Sequence, residues 1–159
     1  MKQKIYLETT MFNFPFVPDK PGYTELKADT GKVFALIKEG KYEPYTSLYA
    51  LEELKDTEQM ERRENMLNLV DEYGITILPA DSRAEQLAAL YIAEGAVPPG
   101  YPEDATHIAT TALYELDFIV SLNFEHIARE WTLRKVDTVN IREGLKRIGI
   151  YRPSEVLKL

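Results

Sequence analysis

The chain has 159 residues, 45% of them apolar and 28% charged, the size and balance of one globular domain with its own core. It contains no cysteine, which excludes disulfides, thiolate metal sites and cysteine nucleophiles. Only two histidines, His107 and His126, are present, which argues against a histidine-rich zinc site, and any metal would be held mainly by oxygen, as magnesium and manganese are.

Met1 to Leu7 is basic and then apolar, but Glu8 interrupts it before a secretory h-region could form. No apolar run approaches the length of a membrane span, so a cytoplasmic location is the expectation. The net charge of -7 is unevenly spread. Before Arg129 there are 11 basic and 22 acidic residues, and from Arg129 onward there are 8 basic and 4 acidic ones. A positive strip beside an acidic site would give this pattern, and so would a solvated helix face.

Along the chain, Lys4–Leu7 reads as a short strand. Thr9, Thr10 and the aromatic run Phe12 to Phe16 follow it, and Pro18 with Pro21-Gly22 then form a loop. The apolar spacing of Leu26, Val33, Phe34 and Ile37 predicts a helix over Thr24–Lys38, ended by Gly40. Tyr42–Ser47 is a second strand, Tyr49–Leu54 a helical turn, and Glu58–Tyr73 a longer helix with Gly74 at its C′ position. Ile75–Leu78 is a third strand. Asp81 or Ser82 caps the next helix, which buries Ala84, Leu87, Ala88 and Tyr91.

A loop with three prolines, Gly95 to Pro102, precedes the clearest helical stripe: Ala105, Ile108, Ala109, Ala112, Leu113 and Leu116. Phe118–Leu122 is a continuous apolar strand, the pattern of a strand covered on both faces of a parallel sheet. A last helix is expected over Val139–Ile148. Trp131 is expected to pack the C-terminal segment, and Phe12 to Phe16 to serve core or dimer contacts. Alternating strands and helices predict a three-layer α/β/α sandwich around a mostly parallel sheet of four or five strands, in one domain over residues 1–159.

In an open parallel sheet, ligands bind outside the carboxyl ends of the strands. Glu8 follows strand one, Glu52 and Glu53 lie just beyond strand two, and Ser121 and Asn123 sit at the exit of strand four. Asp104 opens the helix before strand four, and the N-terminus of a crossover helix lies at the same edge. Asp104 also shares a stripe with Ile108 and Ala112. A carboxylate there needs a hydrogen-bond partner, an ion pair or a metal. The alternative is an ordinary first-turn Asp favoured by the helix dipole. Carboxylates gathered at one rim repel one another, and a divalent cation removes that penalty.

The segments Ile5 to Thr10, Thr46 to Leu54, Asp104 to Ala109 and Val120 to Ile127 resemble, in order and spacing, the motifs of the PIN-domain family. The resemblance spans residues 4 to 127 and implies a metal-dependent nuclease fold acting on single-stranded or structured RNA. Many bacterial and archaeal members of the family are toxins of toxin–antitoxin pairs, so an antitoxin partner and a homodimer are implied too. Carried over motif by motif, Glu8, Glu53 and Asp104 would hold Mg2+ or Mn2+. Asn123 and Ser121 would complete the catalytic set by positioning water.

Glu8 stands where the family more typically has Asp, and Asn123 replaces an acid. These departures define the alternative, a weakly active or inactive PIN-like module that binds RNA or protein. His107 reads as a partly buried polar residue near the site, His126 as a support for the segment after strand four. Tyr101 and its loop are either a lid over the metal or a surface connection. Neither a Gly-rich phosphate loop nor an Asp pair after strand one is present, which argues against receiver-like or flavodoxin-like domains.

Overall fold

The computed structural model describes residues 1–159. Five strands form one sheet: β1 (Gln3–Leu7), β2 (Tyr42–Ser47), β3 (Thr76–Leu78), β4 (Phe118–Val120) and β5 (Gly149–Tyr151). Their order is β3-β2-β1-β4-β5, and every pairing is parallel. The helices are α1 (Thr9–Asn13), α2 (Thr24–Lys38), α3 (Leu48–Lys55), α4 (Met60–Glu72), α5 (Ser82–Glu94), α6 (Pro102–Leu113), α7 (Glu130–Arg142) and α8 (Pro153–Val156), with a 3-10 turn at Phe14–Phe16. They cover both sheet faces, giving the α/β/α sandwich expected from the alternation. No helix is long and apolar enough to cross a membrane.

The two faces follow from strand alternation. Ile5 pairs with Phe118, Tyr6 with Ile119 and Leu7 with Val120. Ile5, Leu7, Phe118 and Val120 therefore point to one side and pack with α1, α2, α3, α4 and α8 through Phe12, Phe34, Leu54, Met66 and Val156. Tyr6 and Ile119 point to the other and pack with α5, α6 and α7 through Tyr91, Ile108 and Val136. Phe12 is fully buried, so the aromatic run after β1 is anchored in the core.

Several expectations need correction. The last long helix lies at Glu130–Arg142 and not at Val139–Ile148. Its buried face carries Thr132 and Asn140 beside Val136 and Val139, so polar residues on the core side conceal the helical period. Gly144, at φ +70, ends that segment in the left-handed region. Trp131 is not packed inside: it is 49% exposed, with its indole N–H donating to the Gly95 carbonyl at 2.9 Å. Helix α6 is buried on both faces, since every residue from Ala105 to Ala112 is buried. Three threonines on α6 make this possible by bonding back to their own helix: Thr106 to Pro102 O, Thr110 to Thr106 O and Thr111 to His107 O.

Strand β5 and the short helices α1 and α8 lie outside the elements expected from the sequence. Strand β5 opens with a glycine for a steric reason. A Cβ on Gly149 would stand 2.6 Å from Tyr151 Cε2 and 3.0 Å from Phe118 Cβ. Gly149→Ala is therefore expected to destabilise the protein by about 1–3 kcal/mol through overpacking. Urea melts of the two proteins check this, and equal midpoints would show that the Tyr151 ring moves aside freely.

Candidate active site at the carboxyl edge of the sheet

The strand order reverses beside β1. The chain proceeds from β1 outward through β2 to β3, then returns to lay β4 on the other side of β1. The crevice between the carboxyl ends of β1 and β4 is the switch point at which such sheets bind ligands. Glu8 leaves β1 at this crevice, and Ser121 leaves β4.

Glu8 is only 3% exposed and caps the N-terminus of α1. One of its oxygens, Oε1, accepts from the Thr10 backbone N–H at 3.2 Å, from the Thr10 hydroxyl at 2.5 Å and from the Ser121 hydroxyl at 2.6 Å. Each hydroxyl is oriented by a backbone donor on its far side. Leu122 N–H donates to Thr10 Oγ1 at 2.8 Å, and Asn123 N–H donates to Ser121 Oγ at 2.9 Å. Oε2 takes no hydrogen bond from the protein. Burial pushes the Glu8 carboxyl above the ordinary range, against the pull of His107, Ser121 and Thr10.

Glu53, on α3, is half-buried and fully engaged. Oε1 meets His107 Nε2 at 2.7 Å, and Oε2 accepts from the Thr9 hydroxyl at 2.9 Å. Its neighbour Glu52 is exposed, so of the adjacent pair it is Glu53 that turns toward the crevice. Burial opposes ionisation of Glu53, but the hydrogen bonds and charge of His107, with Thr9, hold its carboxyl below the ordinary value.

His107 is fully buried rather than partly so. Its Nδ1 lies 2.6 Å from the Tyr6 hydroxyl, which lies 2.7 Å from Ser47 Oγ. Ser47 Oγ also caps α3 by accepting from Ala50 N–H. Burial disfavours the imidazolium, yet Glu53, with Glu8 and Asp104 adding, raises the His107 pKa above its ordinary value. As an imidazolium, His107 donates to Glu53 and to Tyr6, and Tyr6 donates on to Ser47.

Asp104, in the first turn of α6, is bound through Oδ2 to His126 Nδ1 at 2.9 Å. Asn123 Oδ1 accepts from the His126 backbone N–H at 3.1 Å, and Tyr101 packs its ring on His126 with centroids 4.0 Å apart. His126 thus supports the segment after β4, as expected, and also fixes Asp104.

The five sequence-derived residues meet as three linked groups: Glu8 with Ser121, Glu53 with His107, and Asp104 with His126 and Asn123. Thr9 and Thr10 join the first two, and His107 lies within charge range of Glu8 and Asp104. Thr9, Thr10, Tyr6 and Ser47 are participants that sequence reasoning passed over. The signal available for two of them was a hydroxyl pair directly after an acid at a strand end, an arrangement suited to a helix cap.

The donor set suits a hard divalent ion, with Glu8 Oε2 and Asp104 Oδ1 free of protein hydrogen bonds. As they stand, no three of the His, Asp and Glu side chains are grouped closely enough to hold one. Glu53 would have to exchange its His107 contact for the ion. No protein-family model matches the chain, and no curated protein matches it in sequence.

The network has a pH signature in metal-free buffer. The raised pKa of His107 contributes stability that is complete below 6.5 and is lost as pH rises through the folded value. The lowered pKa of Glu53 contributes stability present above 4.5 and lost as pH falls through its folded value. The raised pKa of Glu8 also lowers stability as pH climbs above 4.5. Thermal melts in EDTA should therefore give the highest Tm between about pH 4.5 and 6.5, with a fall toward pH 8. His107→Gln should flatten the alkaline side, and a Tm that rises from pH 6.5 to 8 would contradict the buried ion pair.

Proposed function

We propose that this protein is a Mg2+- or Mn2+-dependent ribonuclease of the PIN-domain type. The observation that carries the reading is the delivery of Glu8, Glu53 and Asp104, from three separate motifs, to the switch-point crevice of a parallel α/β sheet. Glu8, Glu53 and Asp104 would hold the ion. When bound, such an ion supplies a Lewis acid for a phosphoryl oxygen and lowers the pKa of the attacking water. Ser121 and Asn123 orient groups at the β4 exit, His107 aligns Glu53, and His126 aligns Asp104. A cytoplasmic toxin of a toxin–antitoxin pair, acting as a homodimer, extends this reading on the sequence resemblance alone.

A second reading has its own support. Each carboxylate already has protein donors, and the two oxygens of Glu53 are both used. That favours a PIN-like module that binds RNA or a protein partner without cleaving.

The test is cleavage of single-stranded RNA by purified protein with Mn2+ and with EDTA. Metal-dependent cleavage is expected. His126→Ala should lower it about 10–100-fold, the usual cost of removing an outer partner of a metal ligand, and Asp104→Asn should lower it at least as much. Cleavage that survives EDTA, or that Asp104→Asn leaves unchanged, would sink the nuclease reading. Calorimetry with millimolar Mn2+ separates the second reading, which expects no binding.

A further inference from the structure

Resting on the ribonuclease reading, we propose that two residues flanking the carboxylates hold the substrate strand. Tyr101 stacks an unpaired base on the α6 side, and Arg152 takes a backbone phosphate on the β5 side.

Tyr101 is 48% exposed. One face of its ring rests on His126, tilted by 40°. His126 is itself fixed by Asp104 through the ring and by Asn123 through the backbone. Pro102 follows, which disfavours the helical region for Tyr101, and Tyr101 lies at φ -129° and ψ 58°. The result is an aromatic with a supported back and a solvent-facing front, beside the candidate ligand Asp104. Such a surface accepts any base that is not already paired.

Arg152 is the first residue beyond β5. Its guanidinium lies 4.4 Å over the Phe124 ring, and Nε donates to the Ala128 carbonyl at 3.2 Å. No carboxylate pairs with it, whereas Arg83, Arg142 and Arg147 all have carboxylate partners. It lines a concavity of 490 Å³ with Arg129, which is likewise held by neutral acceptors, Thr132 Oγ1 and the Ala96 carbonyl. Glu130 and Glu155 also line this concavity, and the Glu155 carboxylate is turned to the Arg152 backbone N–H at 2.8 Å. A guanidinium ordered by a ring and a carbonyl, with its terminal nitrogens free, is suited to phosphate.

Position links these two residues to the carboxylates. Ser121, whose hydroxyl donates to Glu8, also donates its backbone N–H to the Tyr151 carbonyl at 3.0 Å. Two strand spacings separate β1 from β5, so Arg152 stands roughly 10 Å from Glu8 across the rim. A polyanion approaching three carboxylates on a chain of net charge -7 needs anchors beside them, and Tyr101 and Arg152 both rest on the segment after β4, through His126 and through Phe124 and Ala128.

Fluorescence anisotropy with a labelled, unstructured ten-nucleotide RNA tests this in EDTA, where no turnover occurs. Tyr101→Ala should weaken binding about tenfold while Tyr101→Trp retains it. Arg152→Glu should weaken binding comparably and lower the slope of log K against log salt by about 0.7, with Arg152→Lys keeping the slope. Duplex RNA of the same length should compete poorly, because its bases are already stacked.

Unchanged thermal melts establish that each variant folds, and Arg152→Gln carries the same expectation should Arg152→Glu fail that control. Variants that bind like the wild type, or a duplex that competes equally, would overturn the inference. If the wild type cleaves with Mn2+ and the variants leave Kd unchanged, the strand site alone falls. If the variants weaken binding but the wild type never cleaves, the strand site stands and the nuclease reading falls. Absence of any RNA binding removes both.

Discussion

A carboxylate buried at the end of the central strand is the constraint around which this end of the molecule is built. Glu8 loses nearly all contact with water, and a buried carboxylate without donors would cost several kcal/mol. Three donors on one oxygen meet that demand, two from Thr10 and one from Ser121, and they tie down two separate pieces of chain. Thr10 N–H and its hydroxyl force α1 to begin immediately after β1. The Ser121 hydroxyl joins β4 to β1 beyond the last ladder bond. The backbone of Leu122 and Asn123 is then fixed through the same two hydroxyls. The turn after β4 is thereby held by the acid it faces.

The second acid is held differently. Glu53 belongs to a helix packed beside the crevice, and a buried imidazole links it to the sheet. The chain Glu53–His107–Tyr6–Ser47 crosses from α3 to α6, to β1 and back to the start of α3. Every member sits on a different turn or element, so the position of Glu53 depends on the packing of α6 against the sheet. The burial of α6 on both faces supplies that packing. A fully buried His107 would be costly alone, and its cost is offset because both ring nitrogens have partners.

The sheet was legible in the sequence wherever a strand was a continuous apolar run or a helix a clean stripe. Strand β4 is such a run and the helices α2, α5 and α6 carry such stripes, whereas β2 contains Glu43, Pro44, Thr46 and Ser47. Strand β5 lacked that signal because three residues, one of them Gly149, carry too little periodicity. Helix α7 lacks a clean apolar stripe because Thr132 and Asn140 occupy core positions, where the Tyr91 hydroxyl donates to Asn140 Oδ1 at 2.6 Å. The site divides similarly. Acids at strand exits can be read from topology, and each is held in its own hydrogen-bonded group, Glu8 by Ser121, Glu53 by His107 and Asp104 by His126. The partners that hold them could not be read. Tyr6, His107 and Ser47 meet through sequence separations of 41 and 101 residues, which no local pattern encodes.

Glu8 and Asn123, where the sequence differs from the PIN pattern it resembles, each fill a definite role in the hydrogen bonding. The additional methylene of Glu8 carries Oε1 to donors on both α1 and the exit of β4. Asn123 uses its side-chain oxygen to accept from the His126 N–H, as a carboxylate would, without adding a charge beside Asp104. His126 is then positioned by a neutral group, and its ring is left for Asp104. His107 meets Glu53 directly, whereas Glu8 and Asp104 each retain an oxygen without a protein donor. Burial raises the Glu8 pKa and so favours its neutral form, and a cation at that free oxygen would oppose burial by favouring the carboxylate.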